Sequence, residues 1–277
     1  MNLNQKKREI PQGSMRVTVL GSGTSSGVPT IGCECATCQS DDKRDKRLRP
    51  SVMVEIDGKR IIIDTSSDFR QQCIENGIAS IDAVIYTHHH FDHIAGFDDL
   101  RAFNFTSKKS IPVYLTQETY IHLSRIFEYA FDQTKRKESS APQVKVSFID
   151  KAVFSASGIT CTPIPLKHGS MDVTGYRIKD FAYCTDCSEI TEEGFDLLKG
   201  VRFLILDGLR YRPHPTHLTI AQAIQVAEKI GAEHTWLTHI AHDVKHDEGN
   251  QYLPKQMSLG FDGLTIEIDS SGEMISI

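Results

Sequence analysis

The stretch Thr87-His88-His89-His90-Phe91-Asp92-His93 constrains this chain more than any other, because it follows directly on an apolar run over residues 81–86. β-branched and apolar residues that stop abruptly in four histidines and an aspartate read as a strand delivering ligands to a loop at its carboxyl end. The spacing is H-x-H-x-D-H. Imidazoles packed this closely repel one another as cations, whereas a metal ion keeps them neutral and bound. His88 and His90 are expected to point one way and Asp92 and His93 another, so the loop suits two adjacent ions. A surface histidine tract is the plain alternative, but such a tract has no reason to follow a buried strand with an aspartate in register.

Three later residues also end apolar runs: His168 after residues 159–166, Asp186 after 181–184 and His239 after 234–238. A lone His or Asp at a strand end is structural more often than not, but a series of them in one order reads differently. The loop and the His, Asp, His that follow it resemble the signature of the metallo-β-lactamase superfamily. That resemblance implies an α/β (α+β) fold, a four-layer αββα sandwich, with a dinuclear site along one edge of its sheets. In it His88, His90 and His168 would hold one divalent ion and Asp92, His93 and His239 the other. Asp186 would bridge them, and Asp92 would also orient the nucleophile. Asp64, at the end of a hairpin signalled by Asp57-Gly58, would support the metal loop through hydrogen bonds without being a ligand. Histidine at position 90 argues against the di-iron flavoproteins of the superfamily, whose loop generally carries an acid there.

A second cluster, Cys33-Glu34-Cys35-Ala36-Thr37-Cys38, brings three thiols within six residues. They supply three corners of a zinc tetrahedron and leave one ligand to be found; the alternative is three buried, unliganded thiols. The pattern with a distal histidine resembles one branch of the superfamily, the phosphoribosyl 1,2-cyclic phosphate phosphodiesterases of phosphonate degradation. There the site is a structural zinc that fastens the N-terminal loop beside the active site. By position the fourth ligand is His242, with His246 as a substitute. Cys184-Thr185-Asp186-Cys187 is a decoy for redox chemistry, since thioredoxin-like motifs precede a helix in a βαβ unit.

His214-Pro215-Thr216-His217 opens a helix over residues 220–230. His217 resembles the histidine that phosphodiesterase members place before a helix to hold the scissile phosphate or protonate the leaving oxygen, with His214 the weaker candidate; a capping or surface histidine is the alternative. The glycines of Gly21-Ser22-Gly23-Thr24-Ser25-Ser26-Gly27 do not fit a dinucleotide fingerprint, because the third is one position late and residues 28–32 cannot open a helix. They are expected to let the backbone approach the metal site closely. The basic run 43–49 reads as a solvated loop face. Residues 117–131 read as one amphipathic helix whose Tyr120, Leu123, Phe127 and Phe131 face the core or roof the cleft. Residues 135–140 read as a polar loop.

Composition bounds what remains. With 277 residues, 39% of them hydrophobic, one metallo-β-lactamase-fold domain over 15–277 is expected after a flexible tail over 1–14. The net charge of −5 supplies no global basic field, so nucleic acid is an unexpected partner. No run approaches the roughly 20 apolar residues that span a bilayer, and no signal peptide is evident, so a soluble, cytoplasmic protein is expected. Seven cysteines, partly clustered, suit metal binding in a reducing compartment.

The expected chemistry is therefore metal-dependent phosphodiester hydrolysis. Two divalent ions about 3.5–4 Å apart can share one hydroxide and stabilise displacement at phosphorus. The leading substrate is 5-phosphoribosyl 1,2-cyclic phosphate or a related cyclic ribose phosphate. The alternatives are an RNase Z-like tRNA endonuclease, a thiolesterase or lactonase, and a metal-binding regulatory protein without turnover. The catalytic ions could be zinc, manganese or iron by ligand type. A homodimer is compatible with the sequence.

Overall fold

The structure, a computed structural model, describes residues 10–132 and 140–276. Two eight-stranded sheets pack face to face. The first contains β1 (Met15–Gly21), β2 (Ser51–Ile56), β3 (Lys59–Ile63), β4 (Ala83–Ile85), β5 (Ile111–Leu115) and β6 (Val144–Phe148), with β15 (Thr265–Ile268) and β16 (Met274–Ser276) beside β1. The second runs β11 (Glu189–Ile190), β8 (Ile159–His168), β9 (Met171–Ile178), β10 (Phe181–Cys184), β12 (Phe203–Asp207), β13 (His234–Thr238) and β14 (Met257–Leu259), with β7 (Phe154–Ala156) paired to β8.

The central strands β1, β2, β4, β10 and β12 read as near-continuous apolar runs because they are buried on both faces. In β3, Ile61 and Ile63 enter the core between the sheets while Ile62 faces the outer core of the first sheet. In β12, Phe203 and Ile205 enter the central core while Leu204 and Leu206 face the outer core of the second. The period of two thus sorts one strand between two cores. Helices α1 (Phe69–Glu75), α3 (Leu100–Ser107) and α4 (Gln117–Ile126) cover the first sheet, and α6 (Glu192–Leu198) and α7 (Ile220–Ile230) cover the second. Three apolar clusters separating four layers make this the αββα sandwich that the sequence implies. Short helices α2 (Phe91–Ile94), α5 (Glu128–Phe131) and α8 (His246–Gln251) complete the set.

Several local expectations are met. Asp57 and Gly58 both take positive φ, the geometry of a type I′ hairpin turn. Thr191 caps α6 by accepting from the Gly194 N–H. The Gly21 and Gly23 positions require glycine because a Cβ would lie 1.9 Å from the Arg49 carbonyl oxygen and 2.8 Å from the Arg47 Cβ. The close approach is therefore to segment 47–49, and Gly23 bridges to Ile240, the residue after His239.

Others differ. The expected helix over 117–131 breaks at Phe127, where φ −110 and ψ 42 leave the helical region; Leu123 and Phe127 nonetheless lie in the outer core of the first sheet. The basic run 43–49 is a solvated face only in part, at Lys43 and Lys46. Arg47 is 2% exposed and donates to the Ser22 hydroxyl, the Gly260 carbonyl and His246 Nδ1, while Arg49 pairs with Asp68. These contacts lie up to 213 residues away, and they hold the N-terminal loop onto the body. The loop expected at 135–140 and the first part of the tail fall largely outside the described residues. At the end of the tail, the Gly13 N–H donates to Asp57 and its carbonyl accepts from Lys179.

Candidate metal centre

Every candidate ligand of the dinuclear site sits where a strand ends. The loop 88–93 follows β4 and runs into α2, His168 ends β8, Asp186 lies two residues past β10, and His239 follows β13. The strands run the same edge of both sheets, so residues 151 positions apart in sequence meet. Asp186 and His239 take positive φ of 51° and 60°, as does Asp64 at 63°. Left-handed backbone at a non-glycine costs on the order of 1–3 kcal/mol and is kept where surrounding structure enforces it.

Two donor sets emerge, sharing one residue. His88, His90, His168 and Asp186 form the first, and Asp92, His93, His239 and Asp186 the second, with one ligand atom from each residue within 4.8 Å of the others. Asp186 presents a different oxygen to each. Its Oδ1 is 3.2 Å from Nε2 of both His93 and His239, and its Oδ2 is 3.8 Å from His88 Nε2. Asp92 Oδ2 is 3.5 Å from the same two nitrogens of His93 and His239. A tetrahedral ion bound by nitrogen and oxygen at about 2.0–2.2 Å spaces its ligand atoms about 3.4 Å apart, so these separations suit a shared cation.

Several polar atoms at the centre have no hydrogen-bond partner among the described residues, although Asp186 Oδ1 accepts from the Thr185 hydroxyl. His88 Nε2, His93 Nε2, Asp92 Oδ2 and both ring nitrogens of His239 are buried without a hydrogen bond. Such groups are costly unless something satisfies them. The opposite ring nitrogens are held. His93 Nδ1 donates to Asp64 Oδ2 at 2.7 Å, and His168 Nδ1 donates to the Thr216 carbonyl at 2.7 Å. Thr87 gives its only hydroxyl proton to Asp64, so at 2.9 Å it accepts from His88 Nδ1. Each contact fixes a tautomer that leaves the Nε2 lone pair for the centre. Asp64 thus stands as the supporting carboxylate expected of it, and it also accepts from the Thr87 N–H.

Electrostatics separate the two sets. Burial holds His88 well below the usual imidazole range, with His93 adding to the effect, and burial likewise lowers His90 and His168. Burial opposes charge on His93 too, but Asp186, Asp92 and Asp64 together outweigh it and raise its pKa well above the ordinary value. His239 is raised by Asp186 and Asp92 against the same burial. Burial would raise Asp186, yet His239 and His93 hold it well below the carboxylate range. The carboxylates of the second set thus favour positive charge beside them, which a divalent ion would supply in place of protons on His93 and His239.

The three thiols gather around His242 and not His246. Cys33, Cys35 and Cys38 Sγ lie 3.2, 3.4 and 3.7 Å from His242 Nδ1. A tetrahedral zinc with sulfur at about 2.3 Å and nitrogen at about 2.0 Å sets these edges at about 3.5 Å. The outer nitrogen of His242 lies 3.5 Å from Asp243 Oδ1. The Cys38 N–H, ahead of the opposing burial and then His242, lowers the Cys35 thiol to about 6, whereas burial raises Cys38 to about 11. His246 instead accepts from Arg47 at Nδ1 and its backbone N–H donates to Asp45. Cys184 and Cys187 are buried free thiols in the outer core of the second sheet.

His217 is 8% exposed at the rim of the centre, its ring stacked 4.5 Å from His239 and edge-on 4.6 Å from His168. Its Nδ1 lies 3.2 Å from Asp207 Oδ1, and the other Asp207 oxygen accepts from the Leu218 N–H. Asp207 was not singled out from sequence, although it ends β12 as the ligands end theirs. His214 spends its Nδ1 on Thr216.

A family model for the beta-lactamase superfamily domain matches residues 59–240, which hold every dinuclear ligand. The chain belongs to the β-lactamase superfamily. Among solved structures it is similar to one described as a new diphosphatase from the PhnP family, at 44% identity and TM-score 0.86, covering 92% of this chain and 97% of that one. The chain is thus similar in both sequence and fold to a member of the PhnP family. Zinc-bound PqqB from Methylobacterium extorquens shares its fold at TM-score 0.73 and 21% identity, covering 90% of this chain and 99% of that one. Among curated proteins, an octanoyltransferase of Porphyromonas gingivalis is 40% identical over 262 residues, 93% of this chain and 52% of that protein. The chain thus spans about half the length of that relative. Fold and donor set together imply divalent metal ions. Among the described residues no helix is long and apolar enough to cross a membrane.

Proposed function

We propose that this superfamily member is a two-metal phosphodiesterase that opens a cyclic ribose phosphate of the 5-phosphoribosyl 1,2-cyclic phosphate kind. The observation that carries the reading is the pair of donor sets sharing Asp186, with the His217–Asp207 pair at their rim. His88, His90 and His168 would hold one ion, Asp92, His93 and His239 the other, and Asp186 both; Cys33, Cys35, Cys38 and His242 would hold a structural zinc. Bound there, the ion pair supplies an ionised water near neutral pH and offsets charge on the phosphate.

The chain's own groups do the rest. Asp92, a ligand through Oδ2, would also orient the attacking water. As the new P–O bond forms, the bond to the ring oxygen of the leaving ribose hydroxyl breaks. His217, with Nδ1–H directed at Asp207, delivers the proton on its other ring nitrogen to that oxygen, and Asp207 fixes the orientation of the ring. Thr216 accepts from His168 one residue before His217, so one short segment orients both a ligand and the acid. The Cys₃His cluster would fasten the loop 22–47 against the centre, since Thr24 N–H donates to the Ile240 carbonyl.

The similarity to a PhnP-family diphosphatase favours a second reading, cleavage of a phosphoanhydride at the same centre. Phosphorus NMR of the metal-loaded protein with a cyclic ribose phosphate, a nucleoside diphosphate ester and a precursor tRNA separates these readings. The expected result is conversion of the cyclic resonance to that of a monoester, well ahead of the others. Preference for the anhydride or the RNA would replace the cyclic substrate, and inactivity on all three with metals bound would favour a binding role.

A further inference from the structure

His89 is left over once the ligands on either side of it are assigned. His90 packs against His88 and His168, but the His89 ring stacks instead on His122, with centroids 3.8 Å apart and planes within 6°. His122 shares a face of α4 with Glu118, four residues earlier. One donor atom each from His89, Glu118 and His122 lies within 4.8 Å of the other two, and this group shares no residue with either dinuclear set or with the thiol cluster. Glu118 is exposed and both histidines are partly so, so the group opens to solvent. Among the described residues, no hydrogen bond or ion pair ties up these three side chains.

A nitrogen of each ring is a ligand for transition ions, and Glu118 adds the negative charge that a cation seeks. Stacked rings aim their lone pairs side by side, so an ion bound between them turns the two rings out of the stack. Two histidines and a carboxylate are the donor set of open three-ligand zinc sites, and imidazole favours first-row transition ions over magnesium. The geometry points to a further cation site, formed by His89, Glu118 and His122, that takes a divalent transition-metal ion such as Zn²⁺ from solution. An ion bound there joins α4 to the ligand loop between His88 and His90, and so ties the outer helical layer to the edge of the metal centre. The inference does not depend on the substrate proposed above.

The test uses the full-length protein, saturated with Zn²⁺ at its tight sites and desalted, then titrated calorimetrically with more Zn²⁺ or with Mg²⁺. Wild type is expected to take up one further Zn²⁺ per chain. His122→Gln and Glu118→Gln should weaken that uptake by at least about tenfold while the ion count retained after desalting stays at the wild-type value. Cu²⁺ added in place of Zn²⁺ should show coupling to two nitrogens by electron paramagnetic resonance in wild type and to one in His122→Gln. No further uptake by wild type would mean a stacked histidine pair and nothing more. Uptake indifferent to both substitutions would locate the ion elsewhere, and equal affinity for Mg²⁺ would remove the transition-metal assignment; each result overturns the proposal.

Discussion

Asp207→Asn tests the role given to His217 without touching a proposed metal ligand. Asp207 is fully buried and as a carboxylate it accepts, so it holds a proton on His217 Nδ1 and fixes the ring. Asparagine fills the same space but can turn its amide N–H toward Nδ1. That sets the other tautomer, so the outward ring nitrogen no longer delivers a proton. General acid catalysis is worth about 10²- to 10⁴-fold, or about 2.7–5.4 kcal/mol of barrier. The loss should fall on kcat, with KM little changed, and it should depend on the leaving group. A cyclic ribose phosphate expels an alkoxide that needs the proton, so the full loss is expected. Bis(p-nitrophenyl) phosphate expels a stable phenolate, and the loss should shrink to less than about tenfold. His217→Ala should match Asp207→Asn on both substrates, and the double variant should be no slower than either, because the two act as one unit. Equal losses on both substrates, or additive losses in the double variant, would refute the acid role and leave Asp207 as a structural cap on Leu218.

Three further outcomes follow from the same geometry. Cys35→Ser and His242→Ala should each lose one zinc by elemental analysis and lower the melting temperature, since binding at a closed site adds to folding free energy. Asp64→Asn should weaken the ion held by His93 about 10- to 100-fold in chelator competition, because His93 Nδ1 loses its carboxylate, while the thiol-bound zinc stays. His246 has its pKa lowered to about 4, by burial first and then by Arg47. A lowered base stays neutral in the fold, so its contribution is complete above about 6.5 and is lost as pH falls through about 4. Denaturant melts should therefore show wild type losing more stability than His246→Gln between those values, and parallel curves would contradict the assignment.

The clustering at the candidate metal centre was legible because its signal is local and repeated. Several apolar runs end in His or Asp, and the loop 88–93 compresses four such residues into six positions, which the structure gathers into two donor sets. The three thiols were legible for the same reason, and the structure selects His242 over His246 because His246 is engaged by Arg47. Asp207 escaped notice because a single aspartate ending an apolar strand carries no sign of its partner ten residues on. Arg47 looked solvated because the groups that accept from it, at Ser22, His246 and Gly260, adjoin it only after folding. β9 was missed because Gly175 interrupts its pattern; a Cβ there would meet Leu166 and the Tyr183 carbonyl at 3.0 Å. α8, with the sequence His-Asp-Glu-Gly-Asn-Gln, offers no apolar period at all. Residues 261–264 precede β15 without joining it, and there the Asp262 carboxylate accepts from the Ser22 and Leu48 N–H groups.

The central claim, that one carboxylate serves two ions in a hydrolytic centre, is tested most directly by metal content per chain in wild type and Asp186→Ala, measured after desalting beside turnover of a cyclic ribose phosphate. Wild type should hold three ions and open the substrate, whereas Asp186→Ala should fall toward the single thiol-bound zinc and lose turnover. A variant that keeps its full metal complement, or that hydrolyses the substrate at the wild-type rate, would contradict it.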